Sequence, residues 1–166
     1  ILINFGSSSH ESLYSQFIKS LISNGDMQGK SISLLSSNKT SNEFKDLLDS
    51  LKVRLLTSLS PIELAKLYIS SDFCIGAGGV SALERCCLGL PSGVVCIAEN
   101  QYPGSVQLEK KGCIKLLNNF PDLTVSIDII KNVLNDDNQL KELSINSLNE
   151  VDGNGLKRIL SEVESA

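Results

Sequence analysis

The sequence has few of the residues that many functional classes require. Its 166 residues include one histidine, and no apolar run approaches the roughly 18 residues of a membrane-spanning helix. The net charge is −4 without a cluster of Lys and Arg, which argues against nucleic acid or an anionic membrane as a partner. There is no signal-peptide pattern, so we expect a cytoplasmic protein without a membrane partner.

The cysteine pattern gives no sign of a metal site. The five cysteines are Cys74, Cys86, Cys87, Cys96 and Cys113. Their number is odd, they show no C-x-x-C spacing, and a single histidine cannot complete a zinc set. We expect reduced thiols in the core and no cofactor, with a loosely bound Mg²⁺ left open. No pair of aspartates indicates a glycosidase-type acid/base pair.

Short apolar runs alternate with helical patterns along the whole chain. Strand-like runs lie at 1–5, 31–36, 52–56, 72–75, 92–98 and 113–117. Helix-like segments lie at 13–24, 41–51, 61–68, 80–88, 103–111 and 125–134, with two amphipathic segments in 138–166. This alternation predicts an α/β fold, a Rossmann-like doubly wound parallel sheet of about six strands in a single domain, 1–166. Ser60, Pro61 and Glu63 form the start signal of one helix.

The stretch IGAGGVSALERCCLGLP, residues 75–91, places glycines between a strand and a helix. Glycines let backbone N–H groups approach a ligand, and a helix start favours an anion, so a phosphate site is one interpretation. Ser81 could add a hydroxyl donor. The alternative is a tight turn that packs the helix against the sheet.

Glu84 is the unusual residue of that helix. Helical spacing places it on one face with Val80, Leu83, Cys87 and Leu88, so the sequence predicts a carboxylate within an apolar stripe that needs a partner. It lies roughly 7 Å beyond the helix start, where it could accept hydrogen bonds from a ribose diol. The alternative is a structural salt bridge with Arg85 or with a lysine across the sheet.

The same block carries a family resemblance. Gly78-Gly79, Glu84, Gly89-Leu90-Pro91 and Asn100-Gln101 resemble the central block of the UDP-sugar hydrolases that form a 2,4-diacetamido-trideoxyhexose in pseudaminic acid biosynthesis. More broadly, they are similar to the carboxyl-terminal half of GT-B glycosyltransferases. The opening ILINFGSSS and the closing VDGNGLKRI, a match to Asp-Gly-x-Gly-x-x-Arg, extend the resemblance over most of the chain.

The resemblance implies that the chain binds UDP or a UDP-sugar. Gly6 and Ser7 would face Gly78, Gly79, Val80 and Ser81 across the diphosphate. Glu84 would bind the ribose hydroxyls, and the loop near Leu59 would present backbone groups to uracil. Asn100 and Gln101 would face the sugar.

The resemblance also implies that the chain is half of an active site. In the hydrolases the general base is a histidine of the amino-terminal half, and Ile1 already lies in a strand-like run, so we expect an excised carboxyl-terminal half whose amino-terminal domain is the missing partner. His10 is the one histidine present, and a loop histidine is more often solvated than catalytic. The first loop, Gly6–His10, departs from the family by lacking a second Gly and an Asp.

Two other functions remain open on sequence. A UDP-sugar glycosyltransferase would use the same donor-binding residues, with an acceptor in place of water. A non-catalytic nucleotide-binding module would bind without turnover.

Overall fold

The sheet has the predicted parallel, doubly wound topology. The structure is a computed structural model and describes residues 1–6, 11–24, 27–36 and 40–165, without the side chains of Ser12 and Leu13. Its strands are β1 (Leu2–Asn4), β2 (Ser33–Leu35), β3 (Arg54–Leu56), β4 (Cys74–Ala77), β5 (Ser92–Val95) and β6 (Lys115–Leu116). They lie in the order β3-β2-β1-β4-β5-β6, and every neighbouring pair is parallel.

Helices connect the strands and cover both faces of the sheet. They are α1 (Glu11–Asn24), α2 (Asn42–Ser50), α3 (Pro61–Ile69), α4 (Val80–Cys87), α5 (Tyr102–Lys110), α6 (Ile127–Leu134), α7 (Asp137–Glu150) and α8 (Gly155–Glu164). Except for β4, each strand is shorter than the apolar run that predicts it. The remaining residues of each such run lie in the connecting segments.

Alternating strand residues divide the core between the two faces. On β1, Ile3 belongs to the larger cluster with α1, α2 and α6, whereas Leu2 packs with Tyr68 of α3 on the opposite face. A third cluster joins α4 to β5 and the segment leading into β6. This alternation follows from the two-residue repeat of a strand.

The cysteines contribute to packing rather than to crosslinks. All five are free thiols, and only Cys87 is partly exposed. Burial raises the pKa of the Cys74, Cys86, Cys96 and Cys113 thiols. These four are therefore the core thiols that the sequence predicts.

The carboxyl-terminal helices hold the far end of α4. Gly89, with φ +67°, follows α4 directly, and a Cβ there would lie 2.9 Å from a side-chain atom of Leu148 on α7. Asp152 and Arg158 form an ion pair of 2.7 Å across the start of α8, and the guanidinium keeps the pKa of the Asp152 carboxyl well below its usual range. Asp152 and Arg158 are the first and last residues of the closing motif Asp-Gly-x-Gly-x-x-Arg, so the ion pair gives both of them a structural role.

Within the described part of the chain, no helix combines the length and the apolar character needed to cross a bilayer.

The start of α3 is a complete capping box, as its sequence predicts. The Ser60 hydroxyl accepts a hydrogen bond from the Glu63 N–H at 3.3 Å, and the Glu63 carboxylate accepts from the Ser60 N–H at 2.8 Å. Pro61 occupies the first helical position. Two otherwise unpaired backbone donors are thereby satisfied.

Replacing the cap should weaken the fold measurably. Ser60→Ala removes the acceptor of the Glu63 N–H, so we expect the free energy of unfolding to fall by about 1 kcal/mol in urea denaturation. Ser70→Ala at the other end of α3 is the matched control, since the Ser70 hydroxyl only donates to the Leu67 carbonyl. A loss as large in the control would contradict a specific capping role.

Candidate functional site

The site lies where the strand order changes direction. From β1 the chain continues outward to β2 and β3, and it then returns to β4 on the other side of β1. The loops that follow β1 and β4 therefore diverge at the carboxyl edge of the sheet and leave a crevice between them. In open parallel sheets this is where ligands bind.

The glycine loop after β4 leaves the start of α4 open. Gly79 is the N-cap of α4 with φ +77°, and α4 has no side-chain capping hydrogen bond. By contrast, Ser41, Ser60, Ser126 and Asp136 cap α2, α3, α6 and α7. The Ala82 and Leu83 N–H groups donate to the Gly79 carbonyl, so within the described residues the Val80 and Ser81 N–H groups are the ones available to an external acceptor.

The two other glycines of the loop serve close packing. A Cβ on Gly76 would lie 2.4 Å from the Asn4 carbonyl oxygen, and one on Gly78 would lie 2.7 Å from the Ser105 hydroxyl. Gly78 is buried and lines no described cavity, whereas Gly79 is exposed. The alternative interpretation, a turn that packs helix against sheet, therefore describes Gly76 and Gly78.

Asn4 organises the turn at Gly6 that follows β1, and it was not among the predicted site residues. Its side-chain oxygen accepts from the Gly6 N–H at 2.9 Å, and its amide nitrogen donates to the Tyr68 hydroxyl at 2.9 Å. Asn4 is nearly fully buried. A lone amide inside the apolar run ILINF was the only available signal.

Three of the predicted nucleotide-binding residues meet in one cavity. This cavity, called the β1–α3 cavity, has a volume of about 290 Å³. Gly6, Leu59 and Ser81 line it together with Asn4 and Tyr68. Residues from four separate segments of the chain therefore converge at the carboxyl edge of the sheet.

Four further predicted residues line a second cavity between α4 and α5. Gly79, Val80, Asn100 and Gln101 contribute to this α4–α5 cavity, which has a volume of about 360 Å³. Asn100 is exposed. The Gln101 side-chain oxygen already accepts from the Ile97 N–H at 3.1 Å, so it also shapes the turn.

The predicted environment of Glu84 is wrong. Glu84, Val80 and Leu83 are exposed, and the buried face of α4 carries Ala82, Arg85 and Cys86 instead. The apolar stripe chosen from the spacing faces outward, because α4 packs on the sheet through the neighbouring face. Glu84 lines an α3–α4 groove that shares Leu64 and Tyr68 with the β1–α3 cavity.

The predicted alternative for Glu84, a salt bridge to Arg85, is not observed. Among the described residues the Glu84 carboxylate has no hydrogen-bond or ion-pair partner. Its carboxylate is therefore available to a ligand at the edge of the groove.

Arg85 is the buried charge of this region. Its Nε donates to the Ser92 hydroxyl at 3.1 Å and its Nη2 to the Ala77 carbonyl at 2.8 Å. Arg85 is 0% exposed, and Nη1 has no partner among the described residues. A Cβ on Gly76 would lie 2.9 Å from Nη1, so the guanidinium lies against the backbone of the glycine loop.

Two predicted residues fall outside the described part of the chain. These are Ser7, a predicted phosphate ligand, and His10, the one histidine considered as a catalytic residue. Within the described ranges, no three His, Cys, Asp or Glu side chains are grouped so that they could hold a metal ion.

The fold and the position of the crevice define a Rossmann-like domain like the carboxyl-terminal domain of GT-B enzymes. The chain is similar to Acinetobacter baumannii MurG (12% identity, TM-score 0.74), covering 99% of this chain and 49% of that one. It is also similar to Neisseria meningitidis UDP-GlcNAc 2-epimerase bound to UDP-GlcNAc (14%, TM-score 0.66, 99% and 43%). The spinosyn rhamnosyltransferase SpnG is a third similar structure (20%, TM-score 0.71, 96% and 44%).

The chain thus spans less than half of each of these structures. No protein-family model and no curated protein matches the sequence. At these identities the similarity shows the fold.

A substitution in the glycine loop tests the close approach of β1 and β4. Gly76→Ala brings a Cβ against the Asn4 carbonyl and the Arg85 guanidinium, so we expect the free energy of unfolding to fall by about 1–3 kcal/mol. Urea denaturation followed by circular dichroism measures the change.

Gly104→Ala is the matched control. Gly104 lies within α5, and a Cβ there has no atom within 4 Å. We expect this variant to be more stable by about 0.5–1 kcal/mol. Equal effects of the two substitutions would contradict the close approach of β1 and β4.

Proposed function

We propose that this domain binds the uridine diphosphate part of a UDP-sugar and forms half of the active site of a nucleotide-sugar hydrolase. The sugar would be a 2,4-diacetamido-trideoxyhexose of pseudaminic-type nonulosonic acid biosynthesis, as the sequence resemblance implies. The observation that carries the nucleotide part is the convergence of Gly6, Leu59 and Ser81 in one cavity beside an uncapped helix start.

Each part of the nucleotide has a matching group. The free N–H groups at the start of α4 would donate to the diphosphate, and the helix dipole would favour its charge. Leu59 would present its backbone to uracil. Glu84 would accept hydrogen bonds from the ribose hydroxyls, since it is exposed and unpaired in the groove that adjoins the β1–α3 cavity.

The α4–α5 cavity would receive the sugar. Asn100 is exposed there and can present both an amide donor and a carbonyl acceptor to sugar hydroxyl or acetamido groups. Val80, Leu83 and Leu108 add apolar contact in the same cavity. The sugar would thus lie on the opposite side of the α4 start from the nucleoside.

This half would supply binding and charge stabilisation of the departing UDP. Backbone donors fixed by the glycine loop need no reorganisation as charge develops on the leaving phosphate. The group that activates water would come from the amino-terminal domain of a two-domain protein. Neither a metal ion nor another cofactor is part of the proposed mechanism.

A second candidate is the donor-binding domain of a UDP-sugar glycosyltransferase. The similarity to glycosyltransferases such as SpnG and MurG favours it, and the proposed nucleotide contacts would be the same. Product analysis with a protein that contains both domains separates the two. Free sugar formed from the UDP-sugar in water supports the hydrolase, whereas turnover only with a sugar acceptor supports the transferase.

Glu84 is the residue that tests nucleotide binding most directly. We expect Glu84→Gln to weaken UDP binding by about 1–3 kcal/mol in calorimetric titration, because a charge-assisted hydrogen bond to the ribose is lost. The thermal stability of this variant should not change, since the Glu84 side chain is exposed and has no partner among the described residues.

Glu43→Gln on α2 is the matched control, as an exposed carboxylate that lines neither cavity nor the α3–α4 groove. Titration of the unmodified chain with UDP, UMP and CMP tests whether the site prefers uracil over cytosine. Absence of saturable uridine nucleotide binding would favour a non-nucleotide module and end the proposal.

The half-site interpretation gives a separate prediction. We expect residues 1–166 alone to release no UDP from a UDP-sugar while still binding UDP, because the proposal assigns the group that activates water to the amino-terminal domain. Chromatography of the reaction mixture detects free UDP. Hydrolysis that disappears in His10→Ala would contradict this prediction and assign the general base to this chain.

A further inference from the structure

The buried guanidinium of Arg85 has no counter-charge within the described residues. Its two hydrogen bonds go to neutral acceptors, the Ser92 hydroxyl and the Ala77 carbonyl. The two ion pairs found in the described ranges, Lys111–Glu150 and Arg158–Asp152, do not involve it. An unpaired buried cation is strongly unfavourable, so a compensating negative charge is expected nearby.

The guanidinium lies directly beneath the glycine loop. Ala77, which accepts from Nη2, is the last residue of β4, and the unpartnered Nη1 lies against Gly76. The positive charge of Arg85 also acts on the β1–α3 cavity. Tyr68 lines that cavity, and burial raises the pKa of its hydroxyl while the charge of Arg85 lowers it.

Among the described residues, those that line the crevice provide no other free cation. Lys111 is the single Lys or Arg among the described residues that line the β1–α3 cavity, the α4–α5 cavity and the α3–α4 groove. It is held by Glu150. The α4 dipole supplies only about half a positive charge, which is less than a diphosphate carries.

We propose that Arg85 is the counter-charge for the anion held at the start of α4, a positioning residue that acts from beneath the loop without touching the ligand. This inference rests on the proposed nucleotide binding and adds the source of its anion selectivity. In the water-poor interior a fixed charge acts more strongly than an exposed one, and it loses no side-chain entropy when the ligand binds.

A purely structural role for Arg85 makes a different prediction. If the side chain only anchors the loop, its loss weakens charged and neutral ligands by the same factor. If its charge selects the anion, its loss weakens UDP far more than uridine. The ratio of the two dissociation constants is therefore the informative readout.

The experiment measures dissociation constants of UDP and uridine for the unmodified chain, Arg85→Met, Arg85→Lys and Arg54→Met. For Arg85→Met we expect UDP to weaken by about tenfold or more and uridine by less than about threefold. Arg85→Lys keeps the charge and should retain most of the preference for UDP.

Arg54→Met is the matched control for net charge, since Arg54 is exposed at the first residue of β3, on the edge opposite the crevice. It should leave both constants unchanged. An equal loss of UDP and uridine binding in Arg85→Met, or an unchanged UDP-to-uridine ratio, overturns the inference.

A measurement on the unmodified chain covers the case in which Arg85→Met does not fold. With ¹⁵N-labelled arginine, the Arg85 Nε resonance, identified by its loss in Arg85→Lys, should shift when UDP is added and stay in place with uridine. The same position with both ligands overturns the inference. If the unmodified chain binds neither UDP nor uridine, the proposed function itself has failed, which is a distinct result.

Discussion

The close approach of β1 and β4 is the constraint on which the candidate site depends. At the register point where Asn4 pairs with Gly76, the absence of a side chain leaves room for both the Asn4 carbonyl and the Arg85 guanidinium. The same Asn4 then holds Gly6 and Tyr68 through its amide group. One contact between two strands thus fixes the loop after β1, the loop after β4 and the side of α3 that faces them.

Burial and exposure on α4 follow from that contact. The helix packs through Ala82, Arg85 and Cys86, which turns Val80 and Glu84 to the surface at the mouth of the crevice. Glu84 is exposed and its carboxylate has no partner among the described residues, so it is open to a ligand at the edge of the α3–α4 groove.

Much of the fold could be predicted from the sequence, because its signals are local. The alternation of apolar runs and helical periods gave six parallel strands, and Ser60, Pro61 and Glu63 marked a helix start to the residue. The face of α4 could not be predicted, since two adjacent stripes were both partly apolar. Counting apolar residues favoured the stripe with Glu84, and a core arginine is too rare for the pattern to suggest it.

The positions of some candidate site residues could also be predicted, because their signals are local. The glycine loop has a composition that is readable along the chain, and strand topology then brings Gly6, Leu59 and Ser81 to one edge. The roles of Asn4 and Tyr68 depend on a hydrogen bond between residues 64 positions apart, which no local pattern encodes. Gly78 stays a predicted ligand residue, because glycine permits both close packing and ligand approach, and a Cβ there would lie close to Ser105 and Gln101.

The tight fit of Gly89 against Leu148 lets α7 restrain the end of α4 that lies opposite the candidate anion site. A helix of eight residues is a short rigid rod, about 12 Å long, so restraining one tip sets the direction in which the other tip points. If the start of α4 binds an anion as proposed, the direction of its N–H donors is therefore set from a distant part of the chain. A substitution at position 148 would change this direction without changing any residue that lines the crevice.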